Sequence, residues 1–279
     1  MIEFDFEYYR PSTIEEAVRL YHVLYTRGKS PIYYSGGTEI ITLARAGQIK
    51  MGAVIDIKGI AESRIYGYRE QELVIGSSVT LTQLSEVPEF PLLALTGSHV
   101  ADHTARNKIT IGGNICGEII YREAVLPFLL AESRVVIAGR NGVRTVPILN
   151  VFRQRLLLER GEWLVQILTD RRMLQLPFYS VKKRKLDLID YPLLTLSALK
   201  IGDFIRVAIS GLISYPFRSD EVENILNNRD SPLEERIRLA VQKLPSPVLD
   251  DWLGSADYRL FVLKNTLVEM FTALEGGSF

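Results

Sequence analysis

The chain has 279 residues, is 47% hydrophobic and balances 33 basic against 33 acidic residues. A formal net charge of zero leaves no long-range field to attract nucleic acid or an anionic membrane, so any anion must be bound locally. The single cysteine, Cys116, excludes a disulfide framework within the chain and is too few for an iron–sulfur cluster or a thiolate zinc site.

The N-terminus mixes acidic and aromatic residues and has neither the basic nor the apolar segment of a signal peptide. No apolar run approaches the roughly 18 residues that a membrane-spanning helix needs. We therefore expect a cytoplasmic protein that binds neither membrane nor nucleic acid.

Residues 1–58 are predicted to form a first lobe of alternating strands and helices. Strands are expected at residues 31–34 and 53–57. Ser12 and Thr13, with Glu15 and Glu16, have the spacing of a capping box, which predicts that the first helix begins there. This pattern is typical of a small α/β lobe.

Residues 59–172 are predicted to form a second lobe, in which short apolar runs alternate with turns. A strand at residues 134–138 leads into the turn 139–142, whose Asn-Gly pair is a strong hairpin signal. Residues 173–279 are predicted to form a third, C-terminal lobe, with a closing helix at 257–274 that lies against a sheet. The fold class expected is α+β, with two α/β lobes and a C-terminal α+β domain.

Two glycine pairs depart from ordinary core patterning, at residues 35–39 and 110–114. The first follows a strand and opens a helix, which places unpaired amide N–H groups and the positive end of a helix dipole at the turn. Glycine also lets the backbone approach a pyrophosphate closely. Neither segment matches the Rossmann or Walker motif, and each pair alone is also compatible with a plain tight turn.

Residues 35–39 and 106–114 closely resemble the two FAD-binding signatures of the flavoprotein subunits of xanthine dehydrogenase, carbon monoxide dehydrogenase and related molybdenum hydroxylases. Residues 54–57, 75–81 and 256–259 resemble further segments of the same family. The likeness covers nearly the whole chain, and it implies the PCMH-type FAD-binding fold.

The resemblance implies that the backbone of both glycine segments holds the FAD pyrophosphate. The residues concerned are Ser35, Gly36, Gly37, Thr38, Glu39, Thr110, Ile111, Gly112, Gly113 and Asn114. An acid then helps to position the nucleotide. The family usually has Ser-Pro followed by Asp here, whereas this chain has Ile119-Ile120 and then Glu123, which is the residue at the matching offset.

A lysine near the start of the third lobe touches FAD in some relatives. Counting back from Asp190 makes Lys183 the nearest match, with Lys182 and Lys185 as rivals in the same basic run. A solvated loop is an equally good interpretation of these lysines.

The family resemblance further implies an oxidoreductase subunit in a heterotrimer. Electrons would come from a 2Fe–2S small subunit, which receives them from a molybdopterin large subunit, and would leave through FAD to NAD or another acceptor. The organic cofactor supplies this chemistry, so no catalytic side chain and no metal ligand is predicted. Two alternatives remain open: a stand-alone PCMH-type flavin oxidoreductase, and a flavin-free scaffold subunit.

Three smaller expectations concern single residues. Trp163 and Trp252 are expected to pack against other residues. Cys116 is expected to be a small buried thiol, because no base that would activate it can be identified.

Overall fold

The computed structural model describes residues 1–185 and 191–276. Asp190, from which the predicted lysine contact was counted, lies outside this range. The strands are β1 (Glu7–Tyr9), β2 (Pro31–Tyr34), β3 (Ala53–Asp56), β4 (Tyr66–Arg69), β5 (Glu72–Gly76), β6 (Arg134–Gly139), β7 (Gly142–Pro147), β8 (Trp163–Asp170), β9 (Phe178–Arg184), β10 (Pro192–Ile201), β11 (Phe204–Ser210) and β12 (Phe217–Arg218).

The helices, in chain order, are α1 (Ile14–Thr26), α2 (Thr38–Arg45), α3 (Leu81–Glu86), α4 (Pro91–Ser98), α5 (His103–Arg106), α6 (Ile111–Cys116), α7 (Leu126–Leu130), α8 (Ile148–Val151), α9 (Asp220–Leu226), α10 (Leu233–Val241) and α11 (Ala256–Glu275). None of the described helices combines the length and the apolar content needed to cross a membrane.

The chain's contacts divide it into two compact units. The first comprises residues 1–87, 103–117 and 132–171, and the second comprises 88–102, 118–131 and the described residues from 172 onward. Each unit combines stretches that are not consecutive in the sequence. The division at residues 58 and 172 concerns the family's domain boundaries and stays a prediction.

The start of α1 follows from local hydrogen bonding. The amide of Glu16 donates to Thr13 Oγ1 at 3.1 Å, and the Glu16 carboxylate in turn accepts from the amide of Ser12 at 2.8 Å. These bonds satisfy donors that have no partner within the helix. The predicted helix start is confirmed.

Two sheets build the first unit. A parallel sheet has the order β1-β3-β2, and an antiparallel sheet has the order β4-β5-β8-β6-β7. Ala17 and Leu24 of α1 and Ile55 of β3 share one apolar core with Trp163 and Val165 of β8. Burial of this shared core joins the small parallel sheet to the larger one.

The hairpin β6–β7 forms where the Asn-Gly turn predicts it. Gly139 pairs with Gly142 at the end of the antiparallel ladder, and Gly142 has a φ of +97°, which a residue with a side chain rarely adopts. The predicted turn is confirmed.

The second unit is organised around one antiparallel sheet of order β12-β11-β10-β9. The closing helix α11 packs on this sheet through Leu263, Leu267, Met270 and Phe271, as the sequence predicts. The α+β fold class is borne out by this arrangement together with the sheets and helices of the first unit.

Two predictions, the packing of Trp252 and the burial of Cys116, are wrong. Trp252 is 69% exposed, because it lies in the turn before α11. Its main-chain carbonyl accepts a hydrogen bond from Lys185. Cys116 is exposed at the end of α6. Trp163 is 3% exposed, so its predicted packing is confirmed.

Candidate functional site

The first glycine segment links the end of β2 to the start of α2. Gly37 has a φ of +71°, and a β-carbon on this residue would overlap the ring of Tyr34. The turn is therefore folded back over the aromatic ring that precedes it. Only glycine meets both requirements, the left-handed backbone and the close approach.

The first segment leaves amide donors unpaired. Among the described residues, the N–H groups of Gly36, Gly37 and Thr38 form no hydrogen bond, and Gly37 has no side chain to cap the helix. These donors stand at the N-terminus of the eight-residue helix α2, where the helix dipole adds partial positive charge. The turn therefore offers several donors to an anion.

The second glycine segment pairs most of its amides within the protein, beginning with Ile111 and Gly112. The N–H of Ile111 donates to the carbonyl of Val79, and the N–H of Gly112 donates to the carbonyl of Ser77, both at 2.9 Å. A β-carbon on Gly112 would lie 2.5 Å from the Ser77 β-carbon, so this glycine is required for the two backbones to approach. The second segment is thereby tied to the loop that follows β5.

The next two amides of the second segment close on the start of α6. Gly113 donates to Thr110 Oγ1 at 3.2 Å, and Asn114 donates to the Thr110 carbonyl at 2.9 Å. All four amides from Ile111 to Asn114 thus have a partner within the protein. The Thr110 amide forms no hydrogen bond with a described residue, so the second segment leaves one unpaired donor where the first leaves three. The family resemblance implies donors from both segments.

The two glycine segments touch each other. A β-carbon on Gly36 would overlap the carbonyl oxygen of Lys108, just before the second segment. Ser35 Oγ also donates to Ser78 Oγ at 3.0 Å, which connects the first segment to the loop after β5. Three chain segments that are distant in sequence therefore meet at one place.

Gly113 is the open glycine of this arrangement. Gly113 is exposed, and the nearest atom to an added β-carbon, apart from the local backbone, would be Thr110 Oγ1 at 3.1 Å. Space beside Gly113 and unpaired amides on the adjoining turn are what a bulky anionic group needs.

The described residues contain no cluster of three or more His, Cys, Asp or Glu side chains able to hold a metal ion.

Lys58 belongs to this site although the sequence analysis did not include it. Its ammonium donates to the carbonyl of Ser35 at 2.8 Å and pairs with Asp56 Oδ1, also at 2.8 Å. A signal for it exists in the sequence, since Lys58 lies two residues after the end of β3, and β3 lies beside β2 in the parallel sheet. Residues that follow neighbouring parallel strands emerge at the same sheet edge.

Glu123 lies in the second unit and is fixed there by Lys182. The ammonium of Lys182 is 2.8 Å from Glu123 Oε1, and the two side chains are only 5% and 3% exposed. Oε1 lacks a hydrogen bond of good geometry with the described residues, so charge attraction holds the pair. Lys182 also donates to the carbonyl of His99 at 3.0 Å.

Lys183 projects elsewhere within the same unit. Its ammonium is 2.8 Å from Glu269 Oε2 on α11, and this bond holds the pKa of the Glu269 carboxyl below its ordinary value. Lys185 donates to the carbonyl of Trp252 at 2.7 Å. Of the three candidate lysines, Lys182 is the one paired with Glu123, and the cofactor role of Lys183 stays a prediction.

Comparisons with known proteins agree on one relationship. Residues 4–168 match the family described as FAD binding domain in molybdopterin dehydrogenase. The chain is 25% identical to the nicotinate dehydrogenase FAD-subunit of Eubacterium barkeri over 98% of both chains. It is 33% identical to the carbon monoxide dehydrogenase medium chain of Hydrogenophaga pseudoflava over 60% of this chain and 59% of that one.

The fold comparison points the same way. A chain of the carbon monoxide dehydrogenase from Hydrogenophaga pseudoflava, in a form lacking the Mo-pyranopterin moiety of the molybdenum cofactor, superimposes with a TM-score of 0.87 at 25% identity. The superposition covers 99% of each chain.

Proposed function

The chain belongs to the family of FAD-binding domains of molybdopterin dehydrogenases, and on that premise we propose that it passes electrons from a 2Fe–2S partner through FAD to NAD or another acceptor. Membership of the family confirms the predicted FAD cofactor and the oxidoreductase class. The route of the electrons and the identity of the acceptor are the proposal.

One observation carries the proposal: the unpaired amides of Gly36, Gly37 and Thr38 lie on a turn that packs against the second glycine segment, in which Gly113 is exposed. Backbone donors of this kind fit the oxygens of a diphosphate, and a residue without a side chain leaves room for them. The residues present are therefore suited to FAD.

The two glycine segments have separate tasks in this proposal. The first, at Ser35 to Glu39, donates amide N–H groups to the diphosphate. The second, at Thr110 to Asn114, has its Ile111 to Asn114 amides engaged and forms a closely packed wall that is open at Gly113, while its Thr110 amide adds one further donor. No side chain is assigned a proton transfer, because bound FAD supplies the conversion between one-electron and two-electron transfer.

Partner subunits supply the remaining redox centres in this proposal. The chain has one cysteine, which is too few to hold an iron–sulfur cluster. The relatives are named as a FAD-subunit and a medium chain, words that denote one component among several. We propose a 2Fe–2S small subunit and a molybdopterin large subunit as the other members of a heterotrimer.

A titration with NADH tests the acceptor. If NAD is the physiological acceptor, NADH added to the flavin-loaded chain without oxygen will bleach the oxidised flavin absorption, because the transfer is reversible. Dithionite serves as the control for a reducible flavin. Bleaching by dithionite without bleaching by NADH would contradict NAD as the acceptor and favour another oxidant.

A further inference from the structure

Lys58 connects the first glycine segment to the parallel sheet. Its ammonium donates to the Ser35 carbonyl and contacts Asp56 Oδ1, each at 2.8 Å. The ammonium also lies 4.5 Å from the centre of the Tyr34 ring, the ring over which Gly37 is folded. Lys58 thus contacts the turn from the side of β3.

Asp56 holds Lys58 in place. The Asp56 side chain is 4% exposed, and its second oxygen accepts a hydrogen bond from the Tyr8 hydroxyl at 2.5 Å. The amide of Lys58 also donates to Oδ1 at 2.9 Å. A carboxylate fixed at both oxygens leaves the ammonium little freedom, so its position relative to Ser35 is well defined.

Holding the Ser35 carbonyl decides where the next amide points. The carbonyl and the N–H of a trans peptide are directed to opposite sides of the peptide plane. Since the Ser35 oxygen is drawn toward Lys58, the N–H of Gly36 is turned away from it. That N–H is one of the donors with no partner among the described residues.

The ammonium of Lys58 affects the orientation of the Ser35–Gly36 peptide more than the net charge at the turn. Asp56 lies 2.8 Å away, so the ion pair is close to neutral as seen from the turn. Glu39 also adds a negative charge in the first turn of α2. The chief effect of Lys58 is therefore to prevent rotation of the Ser35–Gly36 peptide, a rotation that glycine would otherwise permit at little cost.

We propose that Lys58 is a positioning residue for the cofactor: through the Ser35 carbonyl it fixes the Ser35–Gly36 peptide so that the Gly36 amide is available to the FAD diphosphate. This inference rests on the proposed function, because it assigns the diphosphate to the first glycine segment. Lys58 itself does not contact the cofactor in this proposal.

Binding of FAD to the full-length apoprotein tests the proposal, with Lys58→Met, Lys58→Arg and Lys50→Met compared with the unmodified chain. Lys50 is exposed and makes no hydrogen bond or ion pair with a described residue, so Lys50→Met controls for loss of a surface charge. Lys58→Met is expected to weaken FAD binding about tenfold or more, the effect of losing one charge-assisted hydrogen bond. Lys58→Arg should restore binding to within about threefold.

Two further readouts separate positioning from charge and from misfolding. The ratio of dissociation constants for Lys58→Met and the unmodified chain should stay the same from low to high salt if Lys58 acts by positioning. A pure charge effect would instead weaken at high salt, because salt screens it. Circular dichroism checks folding, and Lys58→Ala replaces the Met variant if the latter does not fold.

The outcomes are distinct. The role of Lys58 is overturned if Lys58→Met and Lys50→Met bind FAD equally well, or if the ratio of dissociation constants falls to one at high salt. In either case FAD binding by the unmodified chain still supports the proposed function. An unmodified chain that does not bind FAD overturns both this inference and the proposed function.

Discussion

The α-carbon of Gly36 packs directly on the main-chain carbonyl of Lys108, and a β-carbon at position 36 would overlap the carbonyl oxygen. Neither partner can move easily, since both belong to the backbone. The turn that offers unpaired amides is therefore placed by its contact with the second glycine segment. This contact makes the two segments one structural feature.

Gly36→Ala is expected to separate the segments. Overpacking against backbone destabilises by about 1–3 kcal/mol, and displacement of the turn should also release FAD. Gly67→Ala is the matched control, because a β-carbon there meets nothing within 4 Å and the change should cost less than about 1 kcal/mol. Urea unfolding and flavin content measure both effects. Unchanged flavin content in a stable Gly36→Ala variant would contradict the predicted role of this contact.

Gly113→Val tests the open side of the second segment. A branched side chain there is expected to occupy the space left for the diphosphate while the protein folds, because only Thr110 Oγ1 lies near an added β-carbon. We expect FAD binding to weaken by about 10- to 100-fold, with Gly113→Ala in between. Fluorescence titration with FAD measures the series. Full flavin occupancy in the Val variant would exclude this residue from the site.

Lys182 and Lys183 are expected to differ sharply in their effect on stability. Lys182→Met leaves the Glu123 carboxylate buried without its cation, which should cost about 3 kcal/mol or more of unfolding free energy. Lys183→Met removes a partly exposed pair with Glu269 and should cost less than about 1 kcal/mol.

Chemical denaturation of the two lysine variants at neutral pH makes the comparison. Equal losses would mean that the Glu123–Lys182 pair does not carry the stability assigned to it. Flavin content measured on the same samples tests separately whether Glu123, Lys182 or Lys183 affects cofactor binding.

Acid should remove the support that Asp56 gives to the first segment. Burial alone would raise the pKa of Asp56, but hydrogen bonds from Lys58 and Tyr8 hold it below the ordinary value of 3.8. Since the folded-state pKa is the lower one, the stabilisation is fully present above 3.8 and is lost as pH falls through the lowered value. The stability difference between the unmodified chain and Asp56→Asn should therefore be large at neutral pH and shrink in acid. A difference that does not depend on pH would contradict this assignment.

Local features of the fold could be predicted from the sequence because their causes are local. The Thr13–Glu16 cap lies within one turn of helix, and the Gly139–Gly142 turn is set by residues that adopt left-handed backbone. The closing helix α11 was predicted from its apolar period alone, and its buried face packs on the sheet of the second unit as expected.

The division of work between the two glycine segments could not be predicted, because it depends on contacts distant in sequence. The carbonyls of Ser77 and Val79 engage amides of the second segment from more than thirty residues away. Lys58 reaches Ser35 only because β3 lies beside β2 in the sheet. The exposure of Trp252 was missed for a similar reason, since composition does not reveal which side of a turn faces solvent.

The flavin content of the purified chain tests the central claim most directly. The visible spectrum is recorded, the chromophore is released by heat, and it is identified and quantified against protein. The account predicts FAD at about one per chain, either as purified or after incubation with FAD, since the chain belongs to a family of FAD-binding domains. A colourless protein that is folded and takes up no added FAD would contradict the account and favour a flavin-free scaffold.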